Sequence, residues 1–298
     1  MKIAVSNIAL PSYNHIKELY ELREMGFRGL EVAPSKVWDN VKNVTPKQVS
    51  TYRKQVEKSG LKVIGIHSLF FDQPDLGLFR GFDIRKNTIK FLIHLSNICS
   101  DLGGKFLVFG SPQARKRESL SIKSADVKAI SFFSELSNHI ENHGTYVVIE
   151  ALGKTETDYI TSLKHAYKII NKVNRPELQG HLDAKAVFDA SEAKLEIFNK
   201  IKSKLQHVHI NHPGLGMLRN NGKVDHKLLS SLLKDIGYNK FLSLEQKMVD
   251  LEHPMVPIKK SYRIIESNYK LRKILNSPIG CLKLRKTPRF SLLEQVEV

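Results

Sequence analysis

Eight short apolar segments recur along the 298-residue chain, and this repetition constrains its fold more than any other feature. The segments begin at intervals of roughly 25 to 45 residues, which leaves room for a crossover helix and two loops between strands. They are rich in Val, Ile and Leu with little polar alternation, as is typical of strands buried on both faces of a parallel sheet. The predicted strands are Ile3–Val5, Gly29–Val32, Lys62–Ile66, Phe106–Phe109, Tyr146–Ile149, Leu178–Leu182, His207–Ile210 and Phe241–Leu244.

Amphipathic segments with helix start and stop signals lie between these strands. Thr45 and Pro46 are typical of a helix start, while Gly26 and Gly60 are typical of the position after a helix end. Eight strands alternating with eight helices predict an α/β fold, a single (β/α)8 TIM barrel over residues 1–276. Residues 277–298 are predicted to form a short basic C-terminal extension. An open doubly wound sheet is the alternative, but no Gly-x-Gly-x-x-Gly turn follows the first strand.

Charge and composition limit the partners and the compartment. The net charge is +17, and residues 255–289 hold ten lysines and arginines against the single acid Glu266. This excess predicts a solvated helix and tail, with attraction of phosphorylated sugars or nucleic acid as the alternatives. The two cysteines, Cys99 and Cys281, offer no disulfide framework and no thiolate metal site. No apolar run is long enough to span a membrane, and the N-terminus is too polar for a secretory signal, so a cytoplasmic protein is expected.

Polar side chains close four consecutive predicted strands: Glu150, Asp183, His209 and Glu245. In a barrel of parallel strands, such positions meet at the C-terminal rim. Each residue alone has a simpler role, as an ion-pair partner, a helix cap or an interior histidine. Three converging carboxylates, however, repel one another, and a divalent cation removes that cost. Oxygen and imidazole donors suit Mn²⁺, Mg²⁺ or Co²⁺, with Zn²⁺ possible, so the sequence predicts one divalent metal ion at the rim.

The chain resembles the xylose-isomerase-like sugar isomerase and epimerase barrels over roughly residues 1–270. That superfamily includes ketose 3-epimerases, hydroxypyruvate isomerases, inosose dehydratases and barrel endonucleases. The resemblance implies that the four rim residues bind one metal and that Glu150 and Glu245 form the acid/base pair. It also implies that His67 and Glu156 contact substrate. The segments that carry it are residues 29–34 (GLEVAP), 109–112 (FGSP), 148–151 (VIEA), 181–183 (HLD), 207–209 (HVH) and 243–245 (SLE).

The sequence departs from this family at several positions. Ala186 stands where the family usually has a histidine, and no arginine follows His209 at about the sixth position, so His212 or Arg219 would have to substitute. The trinuclear zinc site of the endonuclease branch is not expected, because four of its ligand positions hold other residues. These are Ala186, Gly110, Gly222 and Val224.

The expected function is divalent-metal-dependent isomerisation or epimerisation of a sugar, sugar phosphate or related ketone through an enediolate. Arg115 and Lys185 are expected to anchor a phosphate or carboxylate of the substrate. A homodimer is possible, and nucleic acid is not an expected partner. The alternatives are an inosose-type dehydratase, a metal-dependent phosphodiesterase and a non-catalytic barrel.

Overall fold

The eight strands form one closed parallel barrel in a computed structural model that describes residues 1–269. Neighbouring strands pair in chain order, and β8 pairs back to β1. The predicted (β/α)8 barrel is therefore confirmed, whereas the predicted boundary at residue 276 and the extension 277–298 lie outside the described residues. The strands are β1 Lys2–Ser6, β2 Gly29–Val32, β3 Lys62–Ile66, β4 Phe106–Phe109, β5 Tyr146–Ile149, β6 Leu178–Asp183, β7 Leu205–Ile210 and β8 Phe241–Leu244.

Helices surround the barrel, and the described part of the chain contains nine of them. The connection from β6 to β7 carries two short helices instead of the single one expected, because Ser191 adopts a positive φ of 55° just after α6 ends. None of the helices within residues 1–269 has both the length and the apolar character that a membrane span requires. The helices are α1 Ile16–Met25, α2 Pro46–Lys58, α3 Phe82–Asp101, α4 Ile122–Ile140, α5 Leu163–Val173, α6 Ala184–Asp189, α7 Leu195–Ile201, α8 His226–Asp235 and α9 Met255–Tyr269.

The helix ends follow the local sequence signals. Thr45 and Gln48 form a reciprocal capping box at the start of α2, which satisfies backbone N–H groups that the helix leaves unpaired. Gly26 ends α1 at a φ of 112°, a left-handed conformation that glycine adopts without steric cost. The side chain of Asp225 accepts a hydrogen bond from the Leu228 N–H and so caps α8.

The apolar core has two layers, one between strands and helices and a smaller one inside the barrel. The outer layer contains most of the buried side chains, and the inner layer consists of Ala4, Ile64, Phe106, Val108 and Val148. Successive residues of a strand face opposite sides, so every second residue faces the barrel axis. On β5 the inward residue Val148 is followed by the polar Glu150, and the last inward residues of β6, β7 and β8 are also polar, so polar side chains lie at the C-terminal rim.

Candidate metal centre

The four predicted rim ligands come from four neighbouring strands. Glu150 directly follows β5, Asp183 ends β6, His209 lies near the end of β7 and Glu245 directly follows β8. Asp183 is in register with His209, and His209 is in register with Ser243. The parallel register therefore places all four side chains at one end of the barrel.

The donor atoms of these residues form one compact group. One donor atom from each of Glu150, Asp183, His209 and Glu245 lies within 4.8 Å of the others. His209 Nδ1 lies 3.4 Å from Glu150 Oε1 and 3.4 Å from Glu245 Oε2. Two ligands that each lie about 2.1 Å from one ion are separated by roughly 3.0–3.5 Å. The spacing thus fits a shared cation.

The electrostatics of the group also fit a cation. Burial, together with Glu150 and Glu245, raises the pKa of Asp183 to about 8. His209 Nδ1 is buried and makes no hydrogen bond to any described residue, although it faces two carboxylates. A divalent ion would relieve the repulsion among the carboxylates and would use this nitrogen as a ligand.

The other nitrogen of His209 is held by a carboxylate from across the barrel. Glu31, on β2, is fully buried, and its carboxylate lies 3.0 Å from His209 Nε2 and 3.2 Å from His207 Nε2. Burial alone would raise the pKa of Glu31, but the imidazoles of His209 and His207 hold it well below its usual range. An ionised carboxylate only accepts hydrogen bonds, so Nε2 of His209 donates and its Nδ1 is directed to the metal group. Glu31 lies within the predicted strand Gly29–Val32, but its role depends on a contact across the barrel that the sequence does not reveal.

Asn211 connects two of the carboxylates and was not predicted. Its Nδ2 donates to Asp183 Oδ2 and to Glu245 Oε2, the latter at 2.9 Å, while its Oδ1 accepts from the Lys185 N–H. His207, His209 and Asn211 are spaced two residues apart, so all three face inward. That alternation was available in the sequence and could have identified Asn211.

A layer of histidines lies in the barrel below the rim. His181 and His207 precede Asp183 and His209 by two residues each, and the ring of His207 stacks on Phe106 with centroids 4.2 Å apart. Nitrogens of His181, His207 and His209 lie within 4.8 Å of one another, as do donors of Glu31, His67 and His209. Burial and the two neighbouring imidazoles lower the pKa of His181 well below its usual value. His181, His207 and Glu31 do not line the cavity beside the rim group, whereas His67 does.

Gly110 directly follows β4. Because it has no side chain, the Glu150 carboxylate can occupy the space beside it. A Cβ at position 110 would overlap Glu150 Oε2 and would lie 2.9 Å from its Cδ. A side chain at this position would therefore require the Glu150 carboxylate to move from its observed position.

A cavity of about 540 Å³ opens beside the rim group. Glu150 and Glu245 both line it, together with His67. His67 Nε2 lies 2.5 Å from Ser6 Oγ, and its Nδ1 lies 3.6 Å from Glu245 Oε1. The structure thus brings His67 and the two glutamates predicted as acid and base to one cavity wall.

Three other predicted substrate residues, Glu156, Lys185 and His212, lie outside this cavity wall. Lys185 Nζ and Glu156 Oε1 form an ion pair at 2.6 Å. Burial lowers the pKa of Lys185, but Asp183 and Glu156 raise it further than burial lowers it. His212 is half-buried in the loop after β7, where its Nδ1 lies 3.4 Å from Pro213 O. These three side chains are absent from the wall of the 540 Å³ cavity.

Arg115 does not occupy the position expected of a phosphate anchor. It is fully buried, and its guanidinium donates to three backbone carbonyls, those of Ser111 (3.2 Å), Glu150 (2.6 Å) and Phe109. Burial lowers its pKa to about 10. We correct the expectation accordingly: Arg115 joins the ends of β4 and β5 and supports Glu150 through its backbone, with no face open to a substrate.

Comparison with known proteins gives a consistent fold assignment. A solved D-psicose 3-epimerase from Clostridium cellulolyticum H10, bound to D-tagatose, is similar at 15% identity and a TM-score of 0.76, over 90% of this chain and 99% of that chain. The 3-keto-D-glucoside 4-epimerase YcjR from E. coli is 19% identical, with a TM-score of 0.73, over 90% and 99%. The IolI protein with a bound zinc atom is 18% identical, with a TM-score of 0.70, over 91% and 100%. At these identities the similarity establishes the fold.

Comparison of the sequence with models of whole protein families identifies the family as well as the fold. No curated protein sequence matches the chain significantly. The family model described as "Xylose isomerase-like TIM barrel", however, matches residues 19–267, which is most of the chain. The chain therefore belongs to the xylose isomerase-like TIM barrel family.

Proposed function

We propose that this protein is a divalent-metal-dependent isomerase or epimerase of a sugar, sugar phosphate or related ketone. The observation that carries the proposal is the rim group itself. Two of its four donors, Glu150 and Glu245, line a cavity of about 540 Å³, which is large enough for a small carbohydrate. The epimerases named among the similar structures support this reaction class.

Glu150, Asp183, His209 and Glu245 would hold the ion. A bound divalent cation would polarise the substrate carbonyl and its neighbouring hydroxyl and would stabilise negative charge on their oxygens. The all-oxygen-and-imidazole donor set suits Mn²⁺, Mg²⁺ or Co²⁺, with Zn²⁺ also compatible.

Glu150 and Glu245 are the proposed proton carriers. One carboxylate removes the proton from the carbon next to the carbonyl, which gives an enediolate, and the other glutamate returns a proton to the carbon that determines the product. His67 contacts Glu245 and the cavity together, so it can orient that carboxylate or a substrate hydroxyl. Asn211 donates to Glu245 Oε2 and so fixes the direction of the same carboxylate.

The alternatives are less well supported by the geometry. A trinuclear phosphodiesterase site would need a donor at Gly110, and a side chain there would displace the Glu150 carboxylate from its observed position. An inosose-type dehydratase also begins by removing a proton next to a carbonyl, and the same two glutamates could serve it. A non-catalytic barrel would have no need of a cavity lined by two of four convergent metal donors.

The test combines metal content with proton exchange. Purified wild type is analysed for metals by mass spectrometry after incubation with Mn²⁺, alongside Glu245→Gln, His209→Ala and the exposed control Glu24→Gln. A panel of ketoses and ketose phosphates is then incubated in D2O, and NMR measures deuterium entry at the carbon next to the carbonyl.

We expect about one metal equivalent in wild type and in Glu24→Gln, and a large loss of metal in His209→Ala. Deuterium entry should fall by about 100-fold or more in Glu245→Gln. Folded wild type that binds no metal would contradict the proposal and would favour the non-catalytic barrel. Metal binding without exchange on any ketose would direct attention to a different reaction at the same site.

A further inference from the structure

The cavity lined by Glu150 and Glu245 is also lined by a positively charged residue that the sequence analysis did not identify. Arg80, in the loop between β3 and α3, lines this cavity, and it is the only lysine or arginine that does so within residues 1–269. Ser111 and Gln113, in the loop after β4, line the same cavity and add a hydroxyl and a side-chain amide. Cationic and polar groups therefore share one chamber with the proposed metal ligands.

Arg80 is fixed in place without a carboxylate partner. Its guanidinium donates to the backbone carbonyls of Pro74 and Gln113, the latter at 3.3 Å. Its side chain packs on Gly77, where an added Cβ would lie 3.3 Å from both Cδ and Nε of Arg80. No acidic group of the described residues lies within 4 Å of this guanidinium, in contrast to Arg85, which pairs with Glu135 at 2.7 Å.

Three other cations near this rim are already engaged. Arg115 is enclosed by backbone carbonyls, and Lys185 pairs with Glu156. Arg117 lies 3.6 Å from Asp158 and also donates to backbone carbonyls. Within the described part of the chain, the guanidinium of Arg80 is thus the cation at this cavity whose charge no carboxylate balances.

We propose that Arg80 binds an anionic group of the substrate, a phosphate ester or a carboxylate, so that the substrate is an anionic ketose. Guanidinium N–H donors match the oxygens of both groups, and charge-assisted bonds of this kind are stronger than neutral ones. The carbonyl end of the substrate would lie at the rim group, and the anionic end would lie at Arg80. This inference rests on the proposed function, because it names the substrate class of the same site.

The test measures binding, so that it does not depend on turnover. Mn²⁺-loaded protein is titrated calorimetrically with D-fructose, D-fructose 6-phosphate and D-fructuronate, and the same set is repeated with ketopentoses and their 5-phosphates. The measured quantity is the ratio of the affinity for each anionic ligand to that for its neutral partner. The variants are Arg80→Gln and Arg80→Lys, with Arg85→Gln as the matched control from the same region of the chain. Circular dichroism and metal content verify that each variant is folded and loaded.

We expect wild type to prefer at least one anionic ligand by about 10- to 100-fold. Arg80→Gln should bring this ratio close to one, Arg80→Lys should retain part of it, and Arg85→Gln should leave it unchanged. Preference for the phosphate or for the uronate identifies which anion the site takes. An equal affinity for neutral and anionic ligands in wild type, or an unchanged ratio in Arg80→Gln, overturns the proposal.

The two proposals fail in distinguishable ways. If Arg80→Gln loses the anion preference while no ligand exchanges deuterium, the anion site stands and the isomerase proposal is wrong. If neutral ketoses exchange deuterium and the affinity ratio does not depend on Arg80, the isomerase proposal stands and the anion site is wrong.

Discussion

At the scale of single residues, the site is built in two layers. The carboxylates and the imidazole of the rim group are supported by side chains outside the group, chiefly Glu31 behind His209 and Asn211 between Asp183 and Glu245. Such supporting groups fix the tautomer and the ring orientation of a metal-binding histidine and raise its basicity. The strength of metal binding should therefore depend on residues that do not touch the metal.

Glu31→Gln tests this dependence. We expect the affinity for Mn²⁺ to fall by about 10- to 100-fold, because the neutral amide no longer holds His209 Nε2 with a full negative charge. Titration in metal-buffered solution measures the affinity. Glu192→Gln is the control, since Glu192 is also buried but accepts from the N–H groups of Leu163 and Lys164 at the start of α5. Equal affinities in Glu31→Gln and wild type would show that Glu31 does not support the site.

The residues that could be predicted from the sequence are those whose position on a strand determines their role. Glu150, Asp183, His209 and Glu245 follow from strand ends alone, because parallel strands bring their carboxyl ends together. The predicted anchor Arg115 was misplaced, since nothing local shows that its side chain turns inward to the carbonyls of Phe109 and Glu150. Arg80 was missed because its loop has no periodicity.

At the scale of helices and strands, the local signals were the most reliable guide. The capping box of α2 and the glycine after α1 depend only on neighbouring residues, and both were recognisable. The division of the β6–β7 connection into α6 and α7 was not, because a positive φ at Ser191 has no sequence signature comparable to glycine. Packing between helices adds a further layer that local signals do not contain.

Gly26 shows this difference between local conformation and packing. It has a φ of +112°, and an added Cβ would overlap the hydroxyl of Tyr262 on α9. Gly237 has a φ of +72° with no heavy atom within 4 Å of the added Cβ. We expect Gly237→Ala to lower the free energy of unfolding by about 1 kcal/mol. Gly26→Ala should cost about 1–3 kcal/mol more, because α9 must also shift.

Urea unfolding of both variants measures the two costs under identical conditions. The difference between them sets an upper limit on the contribution of the contact of α9 with the end of α1, since Gly26 also has the more extreme φ. Equal losses would mean that Tyr262 moves aside freely and that this contact contributes little to the packing of α9.

At the scale of the whole molecule, the rim group links strands β5, β6, β7 and β8, and Glu31 adds β2 from the other side of the barrel. A ligand that binds the native state alone stabilises the entire fold. The closed barrel positions these donors only when it is folded, so metal binding and barrel stability should be coupled.

Thermal unfolding with and without Mn²⁺ measures this coupling. At a free concentration of 100 times the dissociation constant, Mn²⁺ should add about 2.7 kcal/mol to the free energy of unfolding of the wild type. His209→Ala should show no metal-dependent shift in the melting temperature at matched ionic strength. A shift of the same size in that variant would place the stabilising ion elsewhere.

The close approach of Gly110 to Glu150 also limits how this barrel can change over evolutionary time. A substitution that adds a donor at the end of β4 also moves the Glu150 carboxylate from its observed position, because a Cβ at position 110 would overlap Glu150 Oε2. A change at position 110 therefore also alters the proposed metal group, unless position 150 changes with it. Directed evolution that starts from this sequence should therefore vary positions 110 and 150 as a pair, since a change at position 110 alone also moves a proposed metal ligand.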